Sequence, residues 1–153
     1  METPRYLAGG GRAAPASFDD CLTRQFALCA ALEALADSLP SNVDTLAATQ
    51  LVEQLHPTLS YCQQFEETVV FPVVTRSKPQ VELIVERLRH EHVEDIHHAR
   101  DVCDSVTAFA RNPVRLHANE EGYMLRCLFT SLRRHLAFDR DYILPLYLRA
   151  CER

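Results

Sequence analysis

The chain has no tryptophan and only four glycines and two methionines in 153 residues, while Leu, Ala, Glu and Arg are abundant. That balance favours helices over strands. No apolar run approaches the roughly 20 residues of a membrane span. The N-terminus lacks the basic start and apolar stretch of a secretion signal. The expected location is therefore the cytoplasm, with no membrane partner. A net charge of -5 with scattered Lys and Arg leaves no basic face for nucleic acid, and the one tight basic pair is Arg133-Arg134. No Ser/His/Asp order, acid/base dyad or phosphate loop occurs, so hydrolysis and phosphoryl transfer have no support. Binding is the leading reading over catalysis, and an enzyme using mononuclear iron is left open. Cys21, Cys29, Cys62, Cys103, Cys127 and Cys151 form no CxxC knuckle. In a reducing compartment they are free thiols or small buried hydrophobes.

The length suits one domain, and 47% apolar against 24% charged residues marks a chain able to build a core. Residues 1–16, with Gly9-Gly10-Gly11 and Ala14-Pro15-Ala16, read as a mobile tail. Residues 17–153 read as one all-α, up-and-down antiparallel four-helix bundle with a short C-terminal helical extension. The first helix, 18–37, is capped by Ser17. The second, 43–74, is capped by Ser41 or Asn42 and kinked at Pro57. The third, 79–110, is capped by Ser77. The fourth, 118–141, continues past Pro145. Short connections make neighbours antiparallel.

Helical periodicity places polar groups on every inner stripe. The first stripe reads Phe18, Leu22, Gln25, Cys29, Leu32, Ala36. The second reads Leu55, Leu59, Cys62, Glu66, Val69, Val73. The third reads Val85, Leu88, His92, Ile96, Ala99, Cys103, Val106, Ala110. The fourth reads Leu128, Leu132, His135, Asp139, Tyr142. Unpaired core carboxylates are costly, and Glu66 and Asp139 would repel each other. Buried charges are paired or coordinate metals, and histidine is the commonest ligand. Cys62 with Glu66, and His135 with Asp139, are i, i+4 pairs that can reach one cation.

These residues resemble the hemerythrin-like, or HHE cation-binding, family, in which a helix carries His-x-x-x-Glu followed by Leu-Phe-Pro or a close variant. Here the first copy is Cys62-Gln-Gln-Phe-Glu66-Glu67-Thr-Val-Val-Phe71-Pro72. The second is His135-Leu-Ala-Phe-Asp139-Arg-Asp141-Tyr-Ile-Leu-Pro145, and Glu91-His92 stands on the third helix. The resemblance runs from about Phe18 to Leu148. It implies a metal set of His92, His135, Asp139 and Glu66, with Cys62 and Gln25 standing where the family carries histidine. Hemerythrin itself holds two irons bridged by carboxylates. Loss of both histidines from one metal's set implies at most one well-held metal or an impaired second site. The implied cofactor is non-haem iron, with zinc as an alternative and none if the set is degenerate. Cys62 as thiolate would favour zinc or ferrous iron. The implied role is sensing or handling O2, NO or iron, with a small diatomic ligand and room for a protein partner or homodimer. The rival is a metal-free, repurposed bundle acting as an interaction or thiol-redox regulatory protein.

Around this set, His90, His97 and His98 read as a solvated face, and His56 lies at the expected kink. Gln63 and Glu67 flank the site, while Tyr61 and Tyr142 are candidate hydrogen-bonding groups. Helical phase puts Cys29 and Cys103 on inner stripes on the same side of the polar layer; a disulfide there would need α-carbons within about 7 Å, which sequence alone does not establish.

Overall fold

The computed structural model describes residues 17–113 and 115–153, with the side chains of 115 and 116 left aside; the expected tail over 1–16 lies outside them. The described chain is helical throughout. Helix α1 spans Phe18–Ser38 and α2 spans Thr45–Phe65. A π-helical turn over Glu66–Val70 leads into α3, Phe71–Ser77. A 3-10 turn over Pro79–Val81 opens α4, Glu82–Arg111. Helix α5 spans Arg115–Phe138, and a second π turn over Asp139–Ile143 leads into α6, Leu144–Cys151. Helix α1 packs on α2 and α5, α4 packs on the same two, and α3 packs on α6. The result is a closed four-membered ring of antiparallel rods around one core.

Ser17 caps α1 by accepting from the Asp20 amide, as its sequence position suggests. The second helix is capped differently: Asp44, rather than Ser41 or Asn42, accepts from the Ala47 amide. Ser77 does not cap the third rod. It is the last residue of α3, and α4 starts without a side-chain cap. Pro57 lies inside α2.

The two π turns correct the expected stripes. Proline has no amide to donate and its ring crowds the preceding turn, so the helix widens by one residue ahead of Pro72 and Pro145. The Phe71 amide donates to the Glu66 carbonyl and the Leu144 amide to the Asp139 carbonyl, each five residues back. The extra residue shifts the buried face. Val70 and Val74 are buried in place of Val69 and Val73, and Ile143 in place of Tyr142. On α4 the stripe also departs from expectation beyond His92. Asp95, Val102 and Phe109 are buried, whereas Ile96, Cys103 and Ala110 are only partly so. A 3.6-residue repeat leaves the choice between a step of three and a step of four to the packing partner.

Leu55, Leu59, Leu128 and Leu132 fill the centre. Phe18 meets the Tyr147 ring edge-on at 6.1 Å, tying the start of α1 to α6. Leu132 is 1% exposed, so Leu132→Ala should cost about 2–5 kcal/mol in urea unfolding with little change of native helicity. Ser17→Ala should cost about 1 kcal/mol. A Leu132→Ala loss no larger than the cap's would mean that this layer is not close-packed.

Candidate metal centre

Three of the four rods converge on one polar layer near the π turns. Glu66 begins the first π turn and Asp139 the second, His92 projects from α4, and His135 from the last turns of α5. All four are nearly sealed, at 1–7% exposure. The imidazoles of His92 and His135 stack with centroids 5.0 Å apart, and Phe71 stacks on His92 at 5.8 Å. This pile of three rings fixes both imidazole planes.

Each imidazole has one nitrogen anchored and one turned inward. His92 Nδ1 lies 2.7 Å from Glu67 Oε1, and His135 Nδ1 lies 3.0 Å from Asp95 Oδ2. A carboxylate at Nδ1 accepts its N–H and leaves the Nε2 lone pair available, the arrangement that orients metal-bound histidines. His92 Nε2 stands 3.4 Å from Glu66 Oε2, and His135 Nε2 stands 3.2 Å from Asp139 Oδ2. The second approach lacks hydrogen-bond alignment, so His135 Nε2 has no hydrogen-bond partner; Glu66 Oε1 and Asp139 Oδ1 have none either. One ligand atom each from Glu66, His92 and His135 lies within 4.8 Å of the others. Asp139 stands beside them.

The charges do not balance by themselves. Five carboxylates (Glu66, Glu67, Glu91, Asp95 and Asp139) lie within 3.9 Å of two imidazoles. Burial pushes the Glu66 carboxyl up to about 7, against the pull of His92. Burial lowers His135, but Asp139 and Asp95 outweigh it and raise the imidazole to about 11. Burial likewise acts against charge on His92, and Glu66 with Glu67 outweighs it, so its pKa is raised. The protein thus holds protons where a cation would otherwise sit. Two imidazoles with carboxylates form a donor set that suits ferrous iron or zinc, and the three orphaned buried atoms are what such an ion would satisfy. The residues fit a metal.

Gln25 and Cys62 are placed differently. Both are buried, and both turn to the same main-chain atom of α1. Gln25 Nε2 donates to the Cys21 carbonyl at 3.2 Å, and Cys62 Sγ approaches it at 3.8 Å. Contact with the Cys21 side chain, then burial, pushes the Cys62 thiol far above its ordinary range. Cys62 is not among the three residues whose ligand atoms converge. Asp95 escaped the sequence reading. It sits three residues after His92, a spacing that shares a face, and that was the available signal. Glu67, read as flanking, is the Nδ1 partner of His92. His56 accepts from Arg100 Nε, and His90 bonds the Glu86 carbonyl. Cys29 and Cys103 are both free thiols.

A groove of about 580 Å³ between α4 and α5 reaches this layer, with Asp95 and His135 among its lining and Ile84, Leu88 and Phe138 on its walls. Among the described residues no helix is long and apolar enough to cross a membrane.

Fold and site together define an all-α bundle built around a histidine–carboxylate cluster that is a candidate cation site. The chain matches the family model of the hemerythrin HHE cation-binding domain over residues 18–147, and it belongs to that family. No match was found among curated proteins, and none among solved structures.

The proton load predicts the pH dependence of the metal-free fold. Glu66 is raised from 4.5 to about 7, so its contribution is fully present below pH 4.5 and lost as pH rises through 7. His135 is raised from 6.5 to about 11, so its contribution is present below pH 6.5 and lost toward 11. Both act in one direction, and stability should fall across that range. Urea midpoints against pH will measure it, and Glu66→Gln should remove the portion of the fall between 4.5 and 7. A midpoint that rises with pH would contradict the assignment.

Proposed function

We propose that this bundle holds one transition-metal ion, non-haem iron, by His92, His135, Glu66 and Asp139, and uses it to sense or handle O2, NO or iron. The observation that carries this reading is the set of buried atoms without hydrogen-bond partners, His135 Nε2, Glu66 Oε1 and Asp139 Oδ1, gathered from two rods beside His92 Nε2. A divalent ion there would satisfy them and offset the surplus of carboxylates. Ferrous iron suits a set of two histidines with carboxylate; zinc suits the same donors and is the alternative metal.

One ion is favoured over two because the Cys62 thiol is turned to the Cys21 carbonyl and held protonated, and Gln25 offers a neutral oxygen at best. The groove between α4 and α5 gives a small diatomic ligand a way toward His135. Iron bound here would supply a redox-active centre for such a ligand. Asp95 and Glu67 would orient the two imidazoles, and Phe71 would shield the layer from water. Free cysteines throughout the described chain accord with a reducing, cytoplasmic setting.

The second reading, a metal-free bundle serving as an interaction or thiol-redox protein, has one observation in its favour: each histidine already has carboxylate partners without metal. Its redox form is weakened at Cys62, whose buried thiol is held protonated and is a poor nucleophile.

Metal content per chain after anaerobic ferrous loading and desalting decides between them. About one iron per chain is expected, lost in His92→Ala/His135→Ala. At a free metal concentration a hundredfold above Kd, the loaded fold should gain about 2.7 kcal/mol, reversed by chelator. Uptake should release protons and strengthen as pH rises through 7, where Glu66 gives up its own. No metal under any loading condition, with an unchanged melt, would establish the metal-free bundle; two per chain would restore a two-metal site.

A further inference from the structure

One more buried carboxylate lies at the end of the bundle away from the histidines. Glu121 on α5 is 5% exposed. Ser105, about 20 Å along α4 from His92, donates its hydroxyl to Glu121 Oε1. Glu121 Oε2 has no hydrogen-bond partner, and no Lys, Arg or His among the described residues pairs with the carboxylate. A buried acid with an open oxygen and no counter-charge is costly. A small cavity meets the same side chain. Leu35, Leu39, Val43, Phe109 and Leu125 line it, and Glu121 is the one polar residue in its wall. Ser105, which holds Oε1, is not part of that wall. The cavity's volume is about 10 Å³, room for one group the size of a water molecule. It shares Ala48, Val106 and Ala110 with a groove of about 560 Å³ between α2 and α4.

We propose that Glu121 and this cavity form a binding site for a small tertiary alkylammonium ion, with its N–H on Glu121 Oε2 and its longest alkyl chain in the α2–α4 groove. Charge selects a cation. A water molecule would bond the open oxygen and leave the carboxylate unpaired, whereas an ammonium supplies both the hydrogen bond and the charge. A hard metal ion would need roughly six oxygens, and this wall offers one polar residue. Donor count then sets the substitution. One open acceptor meets one N–H. A primary ammonium brings three donors and would leave two unbonded among leucines. A tertiary ammonium brings one, and its alkyl groups match Leu35, Leu39 and Leu125, with Phe109 adding an aromatic ring beside the cation. The inner space takes the N–H edge alone, so the wall yields as the alkyl groups enter. Leu39 and Val43 stand in the loop between α1 and α2, outside any helix, and they are the part of the wall that moves. The site uses none of the residues assigned to iron.

The test is calorimetric titration of the full chain with N,N-dimethylbutylammonium near neutral pH. N,N,N-trimethylbutylammonium, which keeps the charge and lacks the N–H, is titrated beside it. Saturable binding of one tertiary ion per chain is expected. Glu121→Gln should weaken it about tenfold or more, and the quaternary ion should bind the parent chain weaker by a similar factor. Ala110→Leu, which narrows the wall shared with the groove, should weaken the tertiary ion as well. His92→Ala/His135→Ala should bind it as the parent does, so failure here and failure of the iron reading are distinguishable. Three results would overturn the assignment: no saturable binding, equal binding by Glu121→Gln, or equal binding of the quaternary ion. If Glu121→Gln does not fold, the comparison of the two ions on the parent chain decides alone.

Discussion

Burial of two imidazoles and three carboxylates, Glu66, Asp95 and Asp139, in one layer is the constraint on which this structure turns. Glu66 and Asp139 are at most 2% exposed, and neither has enough hydrogen-bond partners to offset its lost hydration. In the metal-free chain the layer resolves this with protons: Glu66 is held near 7 and His135 near 11. Each proton occupies the place of a positive charge. The same groups that make the layer expensive to bury form a donor set that suits a cation, and the stacked rings of Phe71, His92 and His135 hold the two imidazole planes.

The π turns belong to the same problem. Each starts at a site carboxylate and ends before a proline, Pro72 or Pro145. The widened turn lets the helix absorb a missing amide without breaking. It also keeps Glu66 and Asp139 facing inward while the residues beyond them rotate by one position. Glu67 gains from this. It lies on the flank of the rod, close enough for Oε1 to hold His92 Nδ1. Local backbone geometry and the outer partners of the imidazoles are thus one device, since π turns gather where side chains must be re-aimed.

The bundle sorts its potential ligands by chemistry. Nitrogen and oxygen donors collect between α4, α5 and the π turns. Between α1 and α2 the Cys62 thiol and the Gln25 amide both close onto the Cys21 carbonyl. The distinction follows from hydration: carboxylates tolerate a core only with a charge partner, whereas thiols are small hydrophobes that a dry interface accepts without one. The half of the layer served by Gln25 and Cys62 is accordingly neutral and internally bonded, and the half served by His92 and His135 is charged.

The sequence by itself determined the helical class, the four rods, and the inward positions of Gln25, Cys62, Glu66, His92, His135 and Asp139. Periodicity, caps and the two prolines carry that information locally, within a turn or two of each residue. Only the tertiary structure decided what each inward atom meets. Asp95 lay one step from Ile96 on the same helix, and packing against His135 chose between them. Val70 replaced Val69 because a register shift at Pro72 is a backbone event that a fixed 3.6-residue repeat cannot express. The Cys21–Cys62 contact joins two helices 41 residues apart in sequence. Spacing along one helix fixes the face a side chain takes, and distances between atoms on different helices exist only once the rods have packed.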